Sequence, residues 1–124
     1  MATFKSYKEL DAWKRSRELV KCVYELTKKY PKDEDFGLKL QMRRAAISVI
    51  SNIAEGHGRQ YKKETIQFMY MSRGSLNELE AQIEVSSDLG YITKEEVNTV
   101  LDILENCRKL LSGFINYLQK SELS

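Results

Sequence analysis

A single proline in 124 residues, at position 31, leaves little in this chain to stop a helix. Proline ends helices by removing a backbone donor and clashing with the preceding turn. With that one proline and six glycines, there is room for long uninterrupted helices, and apolar residues recur at threes and fours along four stretches. These stretches predict helices at about 7–30, 36–55, 61–89 and 93–119. No strand alternation, internal repeat or low-complexity segment competes with them. Four amphipathic helices on short connections predict an all-α fold, an antiparallel up-and-down four-helix bundle. A chain of this length makes one domain, 1–124, around one core.

The first helix offers two apolar stripes, Leu10, Trp13, Val20, Tyr24 and Thr27 beside Leu19, Val23, Leu26 and Tyr30, with Arg17 interrupting the first. Pro31 ends it. The second helix sets Leu38, Met42, Ala45, Val49 and Ile53 on a core stripe. At about 100° per residue, Arg44, Ser48, Ser51, Glu55 and Arg59 line the opposite stripe, with Asn52 at its edge. Ile47, Ile50 and Ala54 widen the apolar arc beyond what one bundle core covers, which points to a second surface such as another subunit. Gly56-His57-Gly58 then breaks the helix with residues that tolerate positive φ. On the third helix the core positions are Ile66, Met69, Ser72, Leu76, Leu79 and Ile83. There, Ser72, Gly74 and Ser75 form a small-residue patch suited to close backbone approach. Gly90 caps this helix, Thr93 and Glu96 form a capping box for the fourth, and an apolar seam from Val97 to Leu118 completes the bundle.

Charge is unevenly placed. Residues 39–73 hold seven Lys/Arg against two acids, while residues 74–124 hold four against nine. A basic middle and an acidic C-terminal half suit either an anionic partner or mutual pairing between helices or subunits. No apolar run approaches the length of a membrane span, and Met1–Lys5 lacks the apolar core of a secretory signal. Cys22 and Cys107 lie far apart inside apolar patterns and read as small core residues rather than a disulfide. Together these features predict a cytoplasmic protein.

Enzyme chemistry lacks its parts. His57 is the only histidine, which excludes multi-histidine metal sites and histidine triads, and two distant cysteines make no zinc site alone. No strand precedes the glycines at 56 and 58 and no Gly-Lys-Ser/Thr follows, so they are no phosphate loop. His57 reads as an ordinary exposed loop residue, and the acids Glu78, Glu80, Glu84 and Asp88 as a solvated face. No cofactor, metal or small-molecule substrate is expected. Tyr61 stands out because Arg59, Lys62 and Lys63 surround it, a pattern for stacking plus phosphate contact, or else a staple for the third helix.

The chain resembles the 23S rRNA intervening-sequence protein family, also called the four-helix-bundle or S23 family. The resemblance rests on Phe4-x-x-Tyr7-x-x-Leu10-x-x-Trp13, Gln41-x-Arg43-Arg44-Ala45, Ser51-Asn52-Ile53-Ala54-Glu55-Gly56-x-Gly58-Arg59, and Gly74-Ser75-x-x-Glu78-Leu79. Two positions depart from it. Ser48-Val49-Ile50-Ser51 lacks the proline that kinks the second helix in the family, and Ser72 stands where alanine is usual. The resemblance implies a bacterial bundle protein that assembles into a homo-oligomer, most often a five-membered ring, and associates with nucleic acid.

The combined expectation is a non-enzymatic adaptor that binds structured RNA or DNA through a basic stripe of Arg43, Arg44, Arg59, Tyr61, Lys62, Lys63 and Arg73. A structural network of Arg44, Ser48, Ser51, Asn52, Glu55 and Glu78 would organise the second and third helices, with Arg44 meeting the carboxylate of Glu55 or Glu78. Arg43, about 100° away from Arg44, belongs nearer a packing edge. The alternative is an assembly or protein-partner module without nucleic acid, its polar signature building only its own bundle and ring.

Overall fold

The computed structural model describes residues 6–121, so Phe4 of the resembled motif lies outside the described residues. Its four helices are α1 (Asp11–Thr27), α2 (Leu38–His57), α3 (Lys62–Asp88) and α4 (Lys94–Lys120), with 3₁₀ turns at Tyr7–Glu9 and Lys32–Glu34. Packing follows ring order: α2 lies close against α1 and α3, and α4 against α3 and α1, while the diagonal pairs stay farther apart across the shared core. Contacts run head to tail. Lys29 just after α1 pairs with Glu96 at the start of α4, and Ser16 in the first half of α1 reaches Cys107 midway along α4. The fold is the antiparallel up-and-down bundle that the helical periodicity predicts, with no strand among the described residues.

The first helix is shorter than the periodicity suggests. Leu10 has ψ 129, which takes the chain out of helix and leaves Tyr7–Glu9 as a separate turn capped by Ser6. At the other end Thr27 bonds back to the Val23 carbonyl at 2.8 Å, and Pro31 holds the chain extended at ψ 153. The second stripe is the true core face: Leu19 and Val23 are fully buried, with Leu26 and Tyr30 nearly so. Of the first stripe Leu10 and Thr27 are buried, but Tyr24 is 37% exposed. Arg17 stacks its guanidinium over Trp13 at 5.5 Å.

Helix α2 starts at Leu38, two residues later than the pattern implies, because Gly37 takes φ −110, ψ −118. The Glu34 carboxylate accepts from the Leu38 amide at 2.9 Å and so caps the new helix from the preceding turn. Without a proline, α2 continues unbroken through Val49 and Ile50 to His57. Its buried face of Met42, Ala45, Ala46, Val49 and Ile53 meets Met69, Leu76, Leu79 and Ile83 of α3 and Val100, Leu104, Cys107 and Leu111 of α4 in one apolar cluster. At the far end of α3, Gly90 has φ +78, and the Tyr91 amide reaches the Ser86 carbonyl at 3.0 Å, closing the helix in the left-handed turn that favours glycine. Thr93 and Glu96 form the capping box of α4 in both directions.

The glycines at the α2–α3 junction act differently from expectation. Neither has positive φ, and Gly58 sits in the right-handed region at φ −82. Gly56 is buried within the last turn of α2, where a Cβ would meet Phe68 Cβ at 2.6 Å and Met69 Cε at 2.8 Å. It is there so that two helices can touch, not so that the chain can turn. Gly74 fails the opposite way: it is exposed, and a Cβ built on it meets nothing within 4 Å. The close approach expected of the Ser72–Ser75 patch within the chain comes from its two serines, the Ser72 hydroxyl donating to the Val49 carbonyl at 2.7 Å and the Ser75 hydroxyl meeting that of Ser48 at 2.8 Å.

Candidate functional site

The corner between α2 and α3 gathers three of the six basic side chains singled out by the sequence, Arg59, Lys62 and Lys63. Gly56 and Thr65 draw the two helices together, the Thr65 hydroxyl donating to the Gly56 carbonyl at 2.9 Å. That closeness throws Arg59, Gln60 and Tyr61 outward as an exposed corner, with Tyr61 at 55% exposure. Tyr61 is the N-cap of α3 and makes no side-chain cap bond, so this 27-residue helix starts without a side-chain cap beside Lys62 and Lys63. The Arg59 guanidinium lies over the Phe68 ring at 4.6 Å and pairs with Glu55 at 2.9 Å. Lys62 Nζ donates to the Ser121 carbonyl at 2.6 Å, tying the corner to the end of α4. Lys63 has no intrachain partner among the described residues and is exposed.

The other predicted cations lie elsewhere, so the seven residues do not form one stripe. Arg43 sits in the α1–α2 groove. It donates to Thr27 Oγ1 at 2.8 Å and to the Tyr24 carbonyl at 3.2 Å, and stacks over Tyr24 at 4.4 Å. Its charge serves the C-terminal end of α1, where the carbonyl dipoles are negative. Arg73 lies between α3 and α4, stacked over Tyr70 at 4.8 Å and donating to Ser112 at 3.2 Å. Arg44 is exposed on the outer side of α2, far along the helix from the corner.

The expected polar network is only partly built. Ser48 Oγ and Ser75 Oγ share a hydrogen bond at 2.8 Å across α2 and α3, and Asn52 donates to the Ser48 carbonyl at 2.8 Å and hydroxyl at 3.1 Å. Glu55 is taken by Arg59. Contrary to expectation, Arg44 meets neither Glu55 nor Glu78, and among the described residues neither Arg44 nor Glu78 has any ion pair. Ser51 lines an open concavity of about 420 Å³ with Ala54, Glu55, Gly58 and Arg59. Thr65, which completes this region, escapes the motif reading, and the motif that names Ser75 does not say that it pairs with Ser48. Pairing α2 and α3 as antiparallel neighbours would have found both contacts, since it sets Thr65 beside Gly56 and Ser75 beside Ser48.

His57 is not an exposed loop residue. It ends α2, half-buried, and its Nδ1 is buried without a hydrogen-bond partner among the described residues. No three metal-binding side chains come together among the described residues, and no described helix is long and apolar enough to cross a membrane. Cys22 and Cys107 are free thiols; burial pushes Cys107 up to about 11, and Cys22, only half-buried, is raised by the same cause. No ion pair among the described residues joins the basic segment 39–73 to the acidic segment that follows. Instead Arg59 and Lys39 pair with acids on or next to their own helix, and Arg108 with Glu80 and Glu105.

Residues 8–113 match the sequence model of the family described as 23S rRNA-intervening sequence protein. Among solved structures, a crystal structure of a protein of unknown function from the S23 ribosomal protein family of Bacteroides thetaiotaomicron is 24% identical, with a TM-score of 0.78 over 85% of this chain and 95% of that one. At that identity the likeness speaks for the fold. No curated protein matches the chain.

Proposed function

The chain belongs to the 23S rRNA-intervening sequence protein family, and from that premise we propose a non-enzymatic, homo-oligomeric adaptor that holds structured RNA or DNA at the α2–α3 corner. The observation that carries this reading is the corner itself: Arg59, Tyr61, Lys62 and Lys63 around an uncapped helix N-terminus, within a basic segment that the acidic half of the chain leaves unneutralised. Amides and lysines at a helix start favour phosphate oxygens, and an exposed tyrosine between cations suits an unstacked base. Contacts of this kind position a backbone without reading sequence. Arg43 and Arg73, stacked and bonded inside the chain, are left out of the interface. Self-association would multiply weak corners into one avid surface, and five copies is the number the family resemblance implies. The reading places the protein in the bacterial cytoplasm.

An assembly module without nucleic acid is the second reading, favoured by the unpaired Arg44 and Glu78 on the outer face of the bundle. Salt separates the two. Anisotropy with a labelled RNA hairpin and a matched DNA duplex is followed from low to physiological salt. The adaptor reading expects log affinity to fall with log salt by about 0.7–0.9 per phosphate contacted. Lys63→Glu and Tyr61→Ala, both at exposed positions, weaken binding at least several-fold with unchanged melting. Absence of binding at low salt, or indifference to Lys63→Glu, would discard it in favour of the second reading.

A further inference from the structure

Ile47, Met71, Val85 and Leu89 are each 40–53% exposed, and all stand on the outer face of α2 and α3. The remaining exposed large hydrophobics among the described residues are four tyrosines and Phe36, which lies in the segment leading into α2. Positions 71, 78, 85 and 89 recur at helical spacing, so the α3 residues form one stripe with Glu78 in its middle. Aliphatic side chains aligned in water mark a surface that meets something. Three hydrogen bonds fix the register of the two helices: Ser48 to Ser75, Ser72 to the Val49 carbonyl, and Thr65 to the Gly56 carbonyl. This register sets Arg44 level with Glu78 and Ile47 level with Gly74. Arg44 and Glu78 have no partner among the described residues, and Gly74 is an exposed helical position with open space where a side chain would be.

We propose that this face joins copies of the chain, with α2 of one copy lying on α3 of the next. Arg44 faces the partner's Glu78, and Ile47 seats over the partner's Gly74. A second copy is the occupant that this chemistry selects, because the face carries both halves of each match: a cation and an anion at one level, a protruding isoleucine and a missing side chain at another. Rotation about an axis parallel to the helices keeps every residue at its own level. Levels matched within one chain therefore become levels matched between copies. The inference rests on the self-association in the proposed function, and it names the residues that make the contact.

Light scattering coupled to size exclusion at micromolar concentration tests it on the full chain. The wild type should run at a multiple of 14.4 kDa. Arg44→Glu and Glu78→Arg each place like charges in contact and should raise the dissociation constant at least tenfold, moving the mass toward the monomer. The double reversal should return it to the wild-type value. Gly74→Leu should also dissociate the assembly while helix content stays unchanged, since nothing in its own chain lies within 4 Å. A wild type at 14.4 kDa would overturn self-association and this interface together. A wild-type oligomer whose mass ignores all three single variants would overturn the interface alone, as would a double reversal that stays dissociated.

Discussion

Gly56→Ala and Gly58→Ala apply one chemical change at two glycines two residues apart, and the structure assigns them opposite signs. At Gly56 the new methyl lies 2.6 Å from Phe68 Cβ and 2.8 Å from Met69 Cε. The methionine can swing away, but a Cβ moves only with its backbone, so α3 must retreat from α2 by several tenths of an ångström. Overpacking of this kind costs about 1–3 kcal/mol. The shift also strains the Thr65 bond to the Gly56 carbonyl, worth about 1 kcal/mol net. Against this, removing a helical glycine returns about 1 kcal/mol. The expected net loss is about 1–2 kcal/mol. At Gly58 the nearest atom to the built Cβ is the Glu55 carbonyl oxygen at 3.7 Å, and φ is −82. Alanine fits there and gains about 0.4–1 kcal/mol from the less free unfolded chain. For 124 residues, 1 kcal/mol moves the melting temperature by about 4 °C. Thermal melts by circular dichroism should therefore show Gly56→Ala down by about 4–8 °C and Gly58→Ala up by about 2–4 °C. Equal shifts for the two variants would refute the close-approach reading and restore a turn role for both.

Arg43→Ala removes its two hydrogen bonds to Thr27 Oγ1 and the Tyr24 carbonyl together with its stacking on Tyr24, and should cost about 1–2 kcal/mol in urea titration, while the salt slope of RNA binding stays as in the wild type. Lys63→Glu should do the reverse. Thr93→Ala removes the cap of α4 and should cost about 1 kcal/mol. The Glu96 carboxyl, held below its ordinary value by the Lys29 hydrogen bond and then the Thr93 amide, contributes its share above its unfolded pKa and loses it as pH falls through the lower folded value. Melts of both the Thr93 variant and wild type should accordingly fall in acid, while the deficit of the variant persists because the Thr93 hydroxyl cap on the Glu96 amide does not titrate. Cys107, pushed up to about 11 from 9.0 by burial, is about one part in a thousand thiolate at pH 8. Maleimide should reach it only after unfolding, and stability should fall as pH climbs from about 9 toward 11.

What the sequence makes legible follows from what helical periodicity encodes. Period and breakers place four helices and their order, and the capping box at Thr93 is local chemistry that needs no tertiary information. Periodicity does not say which of two adjacent stripes a neighbour will cover. In α1 the stripe through Leu19 and Val23 wins and Tyr24 is left at 37% exposure, because α2 and α4 fix the covered side. The same limit hides Gly56. A glycine near a helix end reads as a turn from its own chain, and only the Phe68 side chain of the facing helix reveals the contact.

The candidate site divides along that line. Arg59, Tyr61, Lys62 and Lys63 are neighbours in sequence, so the fold has no means to separate them. Arg43, Arg44 and Arg73 depend on helix faces, and the fold turns each to a different groove or surface. One consequence bears on function. A charge satisfied inside its chain, as Arg43 is, contributes the same stability whether or not a partner exists. A charge level with its opposite yet paired with nothing, as Arg44 is with Glu78, gains only when something arrives. That criterion supports the proposed face at Arg44, and the exposed, unpartnered Lys63 supports the proposed corner in a related way. The two stand apart along α2 and α3, so under the proposed assembly a chain held to its neighbours by the Arg44 face would keep the Lys63 corner open to an anion.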